Sequence, residues 1–491
     1  MRTGDRRRGF VTRLGGPTTW LYLAAGLGTA IVVGILLSAS IQIILVVLGV
    51  IAALILKSRI RTITFVVLLI PTTGLIRRLV AGPEAHTEAD PLLILPILLT
   101  IGVMLASLTK PRDDRKRSFM RLTVAATIIG VVGTIVLTRS FDIGVLFSGA
   151  MIVIPLLLAI LISTGRMPSP WEAAMRALPA LAVLVGLYGI YQFFVLPQWD
   201  KAWMINSGLT SIGHPIPLQV RVFGTSESPG PYALFIGLVL TICLYIAVVG
   251  RTGPGRLPWM TLSIFLAVPL LLSGVRSALI GVVVCAVLLA LLRAKGMTRV
   301  LIVAFLAGMY YLLTSVIARF GAGSTVLNAD RYTQFSSNDP SLTARLTLLN
   351  DLRDPFQHLI GDPNAPVADN LFIGALDRFG FLPAAGLFAL TVCLILVSIR
   401  NLARHHNEIA ALCAVFISTQ TLFGNVFGSL FGLLVGIVVG TVMKRHTLPP
   451  RERGVRPTQT SGLTIKQKAM AAPHRSRLRR PRHPRGHRQL A

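Results

Sequence analysis

Charge is scarce in this 491-residue chain. Asp, Glu, Lys and Arg make up only 14% of it, 53% is hydrophobic, and the mean hydropathy is +0.71. A water-soluble domain of that length needs far more charge to cover its surface. Acids are scarcer still, 19 against 48 basic residues, for a formal net charge of +29. Cysteine is limited to Cys243, Cys285, Cys393 and Cys413, all inside apolar runs and none in CxxC spacing. That speaks against a disulfide framework or a zinc motif, and the four read as small packing residues. No small-residue cleavage pattern follows the basic stretch 2–13, so the first apolar run reads as an uncleaved membrane helix. No internal repeat stands out, including the inverted repeat common in transporters.

What the chain has in abundance is apolar runs of about 17–25 residues, the length that crosses a bilayer as a helix. Fourteen candidates can be read, at 18–38, 41–56, 63–76, 91–109, 122–138, 143–162, 177–196, 231–250, 257–273, 277–292, 300–318, 371–398, 409–423 and 426–443. The third is short, and the last two could form a hairpin that spans poorly. The expectation is an all-α, polytopic integral membrane bundle of 12–14 transmembrane helices.

Charge sets the orientation. With the N-terminus inside, the cytoplasmic segments hold 37 of the 48 Lys and Arg and net +31, whereas the outer segments net −2. Basic residues favour the cytoplasmic side, so both termini are expected there. The chain divides into a basic N-terminus at 1–17, a membrane domain at 18–443 and a basic tail at 444–491. The tail carries 14 Lys and Arg with almost no apolar pattern. It reads as a disordered tail that can touch anionic lipid headgroups. It lacks the interleaved aromatics and fold of a nucleic-acid binder, so no nucleic acid is expected.

Two outer loops stand out, 197–230 and 319–370. In the second, apolar residues at 342, 346, 349, 352, 356 and 359 follow a helical period, which predicts a short amphipathic helix on the membrane surface. Gly361-Asp362-Pro363-Asn364 then breaks it.

Among the outer arginines, which run against the charge bias, Arg221, Arg276 and Arg345 stand out. Arg221 leads into RVFGTSESPGPYA, a tight segment before a helix N-terminus, and Arg276 sits in the hairpin Ser273-Gly274-Val275-Arg276-Ser277. A charge at the edge of a membrane core is costly and marks function or a partner. Two guanidinium forks suit a phosphate or diphosphate, although each arginine could instead snorkel to headgroups. Asp369-Asn370 precede the run 371–398, where a carboxylate could act as a general base or cap the helix. Asp351, Asp354 and Asp362 match no calcium loop, and His86, His214 and His358 lack ligand spacing. His358 reads as a helix-end or interface residue, with an acceptor-binding role as the alternative. No metal or cofactor is expected.

In their order, these clusters resemble the O-antigen ligase and O-antigen polymerase superfamily of bacterial envelope glycosyltransferases. The resemblance rests on Arg221-Val222-Phe223-Gly224, Ser273-Gly274-Val275-Arg276-Ser277, Arg345 with Leu359-Ile360-Gly361, and Asp369-Asn370-Leu371-Phe372 with Gly380. It covers about residues 200–400. The chain departs from the ligase pattern where Asp369 stands in place of a His, which looks more like polysaccharide polymerases. It departs again after Gly224, where Thr-Ser-Glu-Ser-Pro replaces the more usual Pro-Asn.

The resemblance implies metal-independent transfer of a glycan from a polyprenyl-diphosphate carrier to a glycan or lipid acceptor hydroxyl, on the outer face of the inner (plasma) membrane. Arg221 and Arg276 would hold the diphosphate, and Asp369 would position or deprotonate the acceptor. Arg345, Asn370 and His358 would support binding. A flippase or transporter of a lipid-linked saccharide is the main rival, followed by a membrane scaffold. Glycan polymerases of cell shape and division are a closer alternative, but their usual loop motifs are not apparent.

Overall fold

The computed structural model describes residues 46–52, 58–81, 91–108, 119–209, 212–250, 253–294, 296–320, 359–365 and 370–444. Among these, every regular element is helical apart from one isolated bridge between Gly213 and Val220. The helices are α1 Arg59–Leu69, α2 Thr73–Ala81, α3 Pro91–Leu108, α4 Phe119–Leu137, α5 Ile143–Ser163 and α6 Trp171–Val195. Then come α7 Gln198–Asn206, α8 Pro229–Tyr245, α9 Leu257–Leu272, α10 Arg276–Leu292 and α11 Met297–Phe320. The last four are α12 Leu371–Phe379, α13 Phe381–Ala403, α14 Glu408–Phe423 and α15 Phe431–Met443.

Among the described residues, seven helices are long and apolar enough to cross a membrane, and α1 with α2 form a pair bent by 63°, the shape of a broken span or a re-entrant loop. Four shorter apolar helices accompany them. The chain is an all-α, multi-pass membrane protein. The 13 residues of α15 reach about 20 Å at 1.5 Å per residue, short of the ~30 Å hydrocarbon core. The candidate 18–38 and most of 41–56 lie outside the described residues, as do the predicted surface helix up to 358 and, apart from 319–320, 359–365 and 370, loop 319–370.

Two expected straight helices are broken. The run 63–76 bends because Pro71 lacks an N–H and the following Thr72-Thr73-Gly74 restarts the helix as α2. The run 371–398 divides at Gly380, whose φ of 87° no helix contains. A side chain there would be strained by the backbone angle and would meet the Leu359 carbonyl oxygen at 2.6 Å.

α8 is the central post. Over an 18-residue stretch of Pro229–Val249, 83% of the residues are buried, and the helix packs on α9, α10 and α14. A π turn at Ile246–Gly250 continues it. α11 is peripheral, with only 17% buried. The tightest helix pair is α5 with α15, where Gly432, Gly436 and Gly440 repeat every four residues. A Cβ on Gly440 would lie 2.9 Å from the Ala159 carbonyl oxygen, so small residues let the two backbones touch.

Contacts gather several helix junctions at one end of the bundle: Leu75 N donates to the Thr225 carbonyl, Val222 N to Leu272, Gln420 to Ser277 and Asn370 to Leu422, and Ser429 of the α14–α15 turn shares a pocket with Pro71 and Ser226. The opposite end is pinned by Glu408. Arg293 grips both its oxygens at 2.7 and 2.8 Å, and the Tyr245 hydroxyl donates to it at 2.6 Å. That charge-assisted cluster ties α8, α10 and α14 together away from the candidate site.

Candidate functional site

Arg221 reaches the hairpin directly. Its Nε donates to the Ser273 carbonyl at 3.2 Å and Nη2 to the Gly274 carbonyl at 3.3 Å. The next backbone amide, on Val222, donates to Leu272 at 3.2 Å. The edge of the guanidinium is therefore seated on the turn that carries Arg276 into the first position of α10. Both arginines are half-buried where apolar helices end.

The third cluster joins through the last turn of α14. Gln420 Nε2 donates to the Ser277 carbonyl at 2.9 Å, and Asn370 Nδ2 donates to the Leu422 carbonyl at 3.2 Å. Hydrogen bonds thus link the Arg221 segment, the Arg276 hairpin and Asn370 at one end of the bundle. Asn370 is also the N-cap of α12, its side-chain oxygen accepting from Phe372 N at 2.9 Å and Ile373 N at 3.3 Å. The capping role that sequence offers to Asp369 belongs to its neighbour. Asp369, Arg345 and His358 lie outside the described residues.

Gly361 lies against the α12–α13 joint. A Cβ there would come within 2.5 Å of the Phe379 and Gly380 nitrogens. Asp362 N donates to the Asp377 carbonyl at 2.7 Å, and Arg378 Nε to the Ala365 carbonyl at 2.8 Å. Burial lowers the Arg378 pKa, with Asp362 opposing the shift. The segment that leads toward Asp369 is therefore fixed on α12.

A second polar cluster, which the sequence reading passed over, holds the Arg221 segment from the other side. Arg78, on α2, has no solvent exposure on its side chain. It meets Asp200 Oδ1 at 2.8 Å, close enough for an ion pair, though the N–H is not aligned for a hydrogen bond. Its Nη1 donates to the Ser226 carbonyl at 2.5 Å, its Nη2 donates to the Gly224 carbonyl, and its guanidinium lies 4.8 Å over the Phe223 ring. Asp200 also accepts from Gln192 at 2.7 Å and Tyr188 at 2.9 Å. Burial pushes the Asp200 carboxyl above its usual range, while Arg78, Gln192 and Tyr188 pull it back. Gln192 completes the cradle by accepting from Phe223 N at 3.0 Å and Gly224 N at 2.8 Å. Gly224 has φ 50°, and the Tyr232 ring fills the space a side chain would need.

Beside it, Arg77 pairs with Glu227 at 2.5 Å and lies 5.2 Å over the Trp203 ring, whose Nε1 donates to the Glu227 carbonyl at 3.1 Å. A Cβ on Gly74 would fall 2.6 Å from the Ser226 carbonyl carbon, so the bend can approach the segment this closely only with glycine there. The signal in the sequence was a Pro-Thr-Thr-Gly break with two arginines after the next two residues, Leu75 and Ile76. Among the described residues, no group of three or more His, Cys, Asp or Glu could hold a metal ion.

The arrangement presents guanidinium groups, a carboxylate and helix ends on a rigid frame at one end of an apolar bundle. Such a frame can receive an anionic or hydroxylated group whose apolar remainder lies among the helices. In comparisons with known proteins, no family model matches the chain, and no curated protein is similar enough to count as a relative.

Proposed function

We propose that the chain is a membrane glycosyltransferase acting at the Arg221 end of the bundle. It moves a glycan from a polyprenyl-diphosphate carrier to an acceptor hydroxyl, as in the O-antigen ligase and polymerase superfamily that it resembles. The observation that carries this reading is the seat of Arg221 on the Ser273 and Gly274 carbonyls. It sets two arginines on adjoining segments at the edge of the apolar core.

In this reading the Arg221 end faces outward from the plasma membrane and both termini are cytoplasmic. Arg276 grips the diphosphate, and Arg221 fixes the hairpin while adding positive charge. The acceptor oxygen attacks the anomeric carbon, its proton passes to Asp369, and the bond to the diphosphate oxygen breaks with its electron pair. The guanidiniums take up the charge that develops on the leaving diphosphate. Arg345, Asn370 and His358 support binding, and the polyprenyl chain lies between helices.

Reconstitution into liposomes with a polyprenyl-diphosphate-linked oligosaccharide and its free glycan as acceptor tests the reading. A new glycosidic bond with release of polyprenyl diphosphate is the expected result. Passage of the intact carrier across the bilayer with no new bond would instead make the chain a flippase.

A further inference from the structure

An open pocket lies between the α1–α2 bend, α8 and the α14–α15 turn, with about 540 Å³ of empty space including its mouth. Thr73, Ser226, Glu227 and Ser429 form its polar side, and Phe147 and Phe235 belong to its apolar wall. The Glu227 side chain is 34% exposed there, although its partner Arg77 is only 4% exposed. Glu227 is held in place twice, by Arg77 on the carboxylate and by Trp203 on the carbonyl. The Ser429 hydroxyl is shut off from solvent and has no hydrogen-bond partner among the described residues. An orphaned buried hydroxyl costs free energy that a bound polar group would recover.

We propose that this pocket binds the edge of a neutral sugar ring, with Glu227 accepting hydrogen bonds from its hydroxyls and the Ser429 hydroxyl, shut off from solvent as it stands, turning toward the ring to complete the set. A carboxylate accepts from hydroxyls and repels phosphate. The pocket is thus chemically separate from the arginines assigned to the diphosphate, yet built on the same 221–231 segment. The aromatic wall suits the C–H face that a sugar presents opposite its hydroxyls. This assignment rests on the glycosyl-transfer reading. The ring could belong to the donor glycan or to the acceptor.

The test uses the full chain in liposomes, with polyprenyl-diphosphate-linked oligosaccharide as donor and free glycan as acceptor. Glu227→Gln keeps the shape and removes the charge, and Ser429→Val fills the polar corner while leaving the Arg77–Glu227 pair intact. Either variant should raise one KM about tenfold and leave the other within twofold. A change in acceptor KM assigns the acceptor ring, and a change in donor KM assigns the donor's first sugar. If both variants transfer glycan with both KM values unchanged, or with only kcat reduced, the pocket is not a sugar site and the transferase reading stands. If the wild-type chain forms no glycosidic bond, both readings fall.

Discussion

Arg78 and Asp200 meet at 2.8 Å with neither side chain exposed to solvent. One stands on the far side of a helix bend, the other on the short α7 before the Arg221 segment. Removing one member of a buried pair leaves an uncompensated charge and costs about 3–5 kcal/mol. Arg78→Ala and Asp200→Leu should each lower thermal stability in detergent by that order. The double substitution Arg78→Ala with Asp200→Leu should be less damaging than the two single losses added together. Additive losses in thermal unfolding would show that the pair is not coupled.

Arg276→Lys keeps a positive charge but loses the bidentate fork. Glycan transfer should fall at least tenfold while membrane accumulation stays normal. Because Arg221 spends two donors on the hairpin turn, Arg221→Lys should impair both transfer and thermal stability. Equal activity for Arg276→Lys and wild type in the liposome assay would remove Arg276 from the site.

Asp369→Asn separates chemistry from capping. The cap of α12 is Asn370, so Asp369→Asn should leave stability unchanged and abolish transfer. Asn370→Ala should cost about 1 kcal/mol in thermal unfolding through the lost cap. Full transfer by Asp369→Asn would move the base elsewhere, with His358 the next candidate.

Orientation follows from the charge partition. Lys201 is exposed at the Arg221 end and Arg404 at the opposite end. In a chain whose half-exposed Cys393 is replaced by Ser, Lys201→Cys should react with an impermeant maleimide on intact cells. Arg404→Cys should react only after permeabilisation. The reverse pattern would turn the proposed site toward the cytoplasm.

Gly380 connects α12 and α13 at φ 87°. Gly380→Ala should reduce membrane accumulation severalfold on an immunoblot, since its Cβ would crowd the Leu359 carbonyl. Unchanged accumulation would mean that segment 359–365 can shift without cost.

Composition and run length alone determined that this is a helical membrane protein and where most of its helices lie. Apolar side chains repeated over about 20 residues leave the backbone one way to satisfy itself in lipid. The order of Arg221, Arg276 and Asn370 along loop-to-helix boundaries was likewise legible. Sequence did not show that 63–76 bends or that 371–398 divides at Gly380, because a lone Pro or Gly in an apolar run is often tolerated in a membrane helix. It also did not show that Arg77 and Arg78 belong with Asp200 and Glu227. Those pairs join residues more than a hundred positions apart, and nothing local distinguishes a buried, paired arginine from one that snorkels. Only packing decides that: with the bend closed on the Arg221 segment, Arg78 has no route to water, and its charge must be met inside the protein.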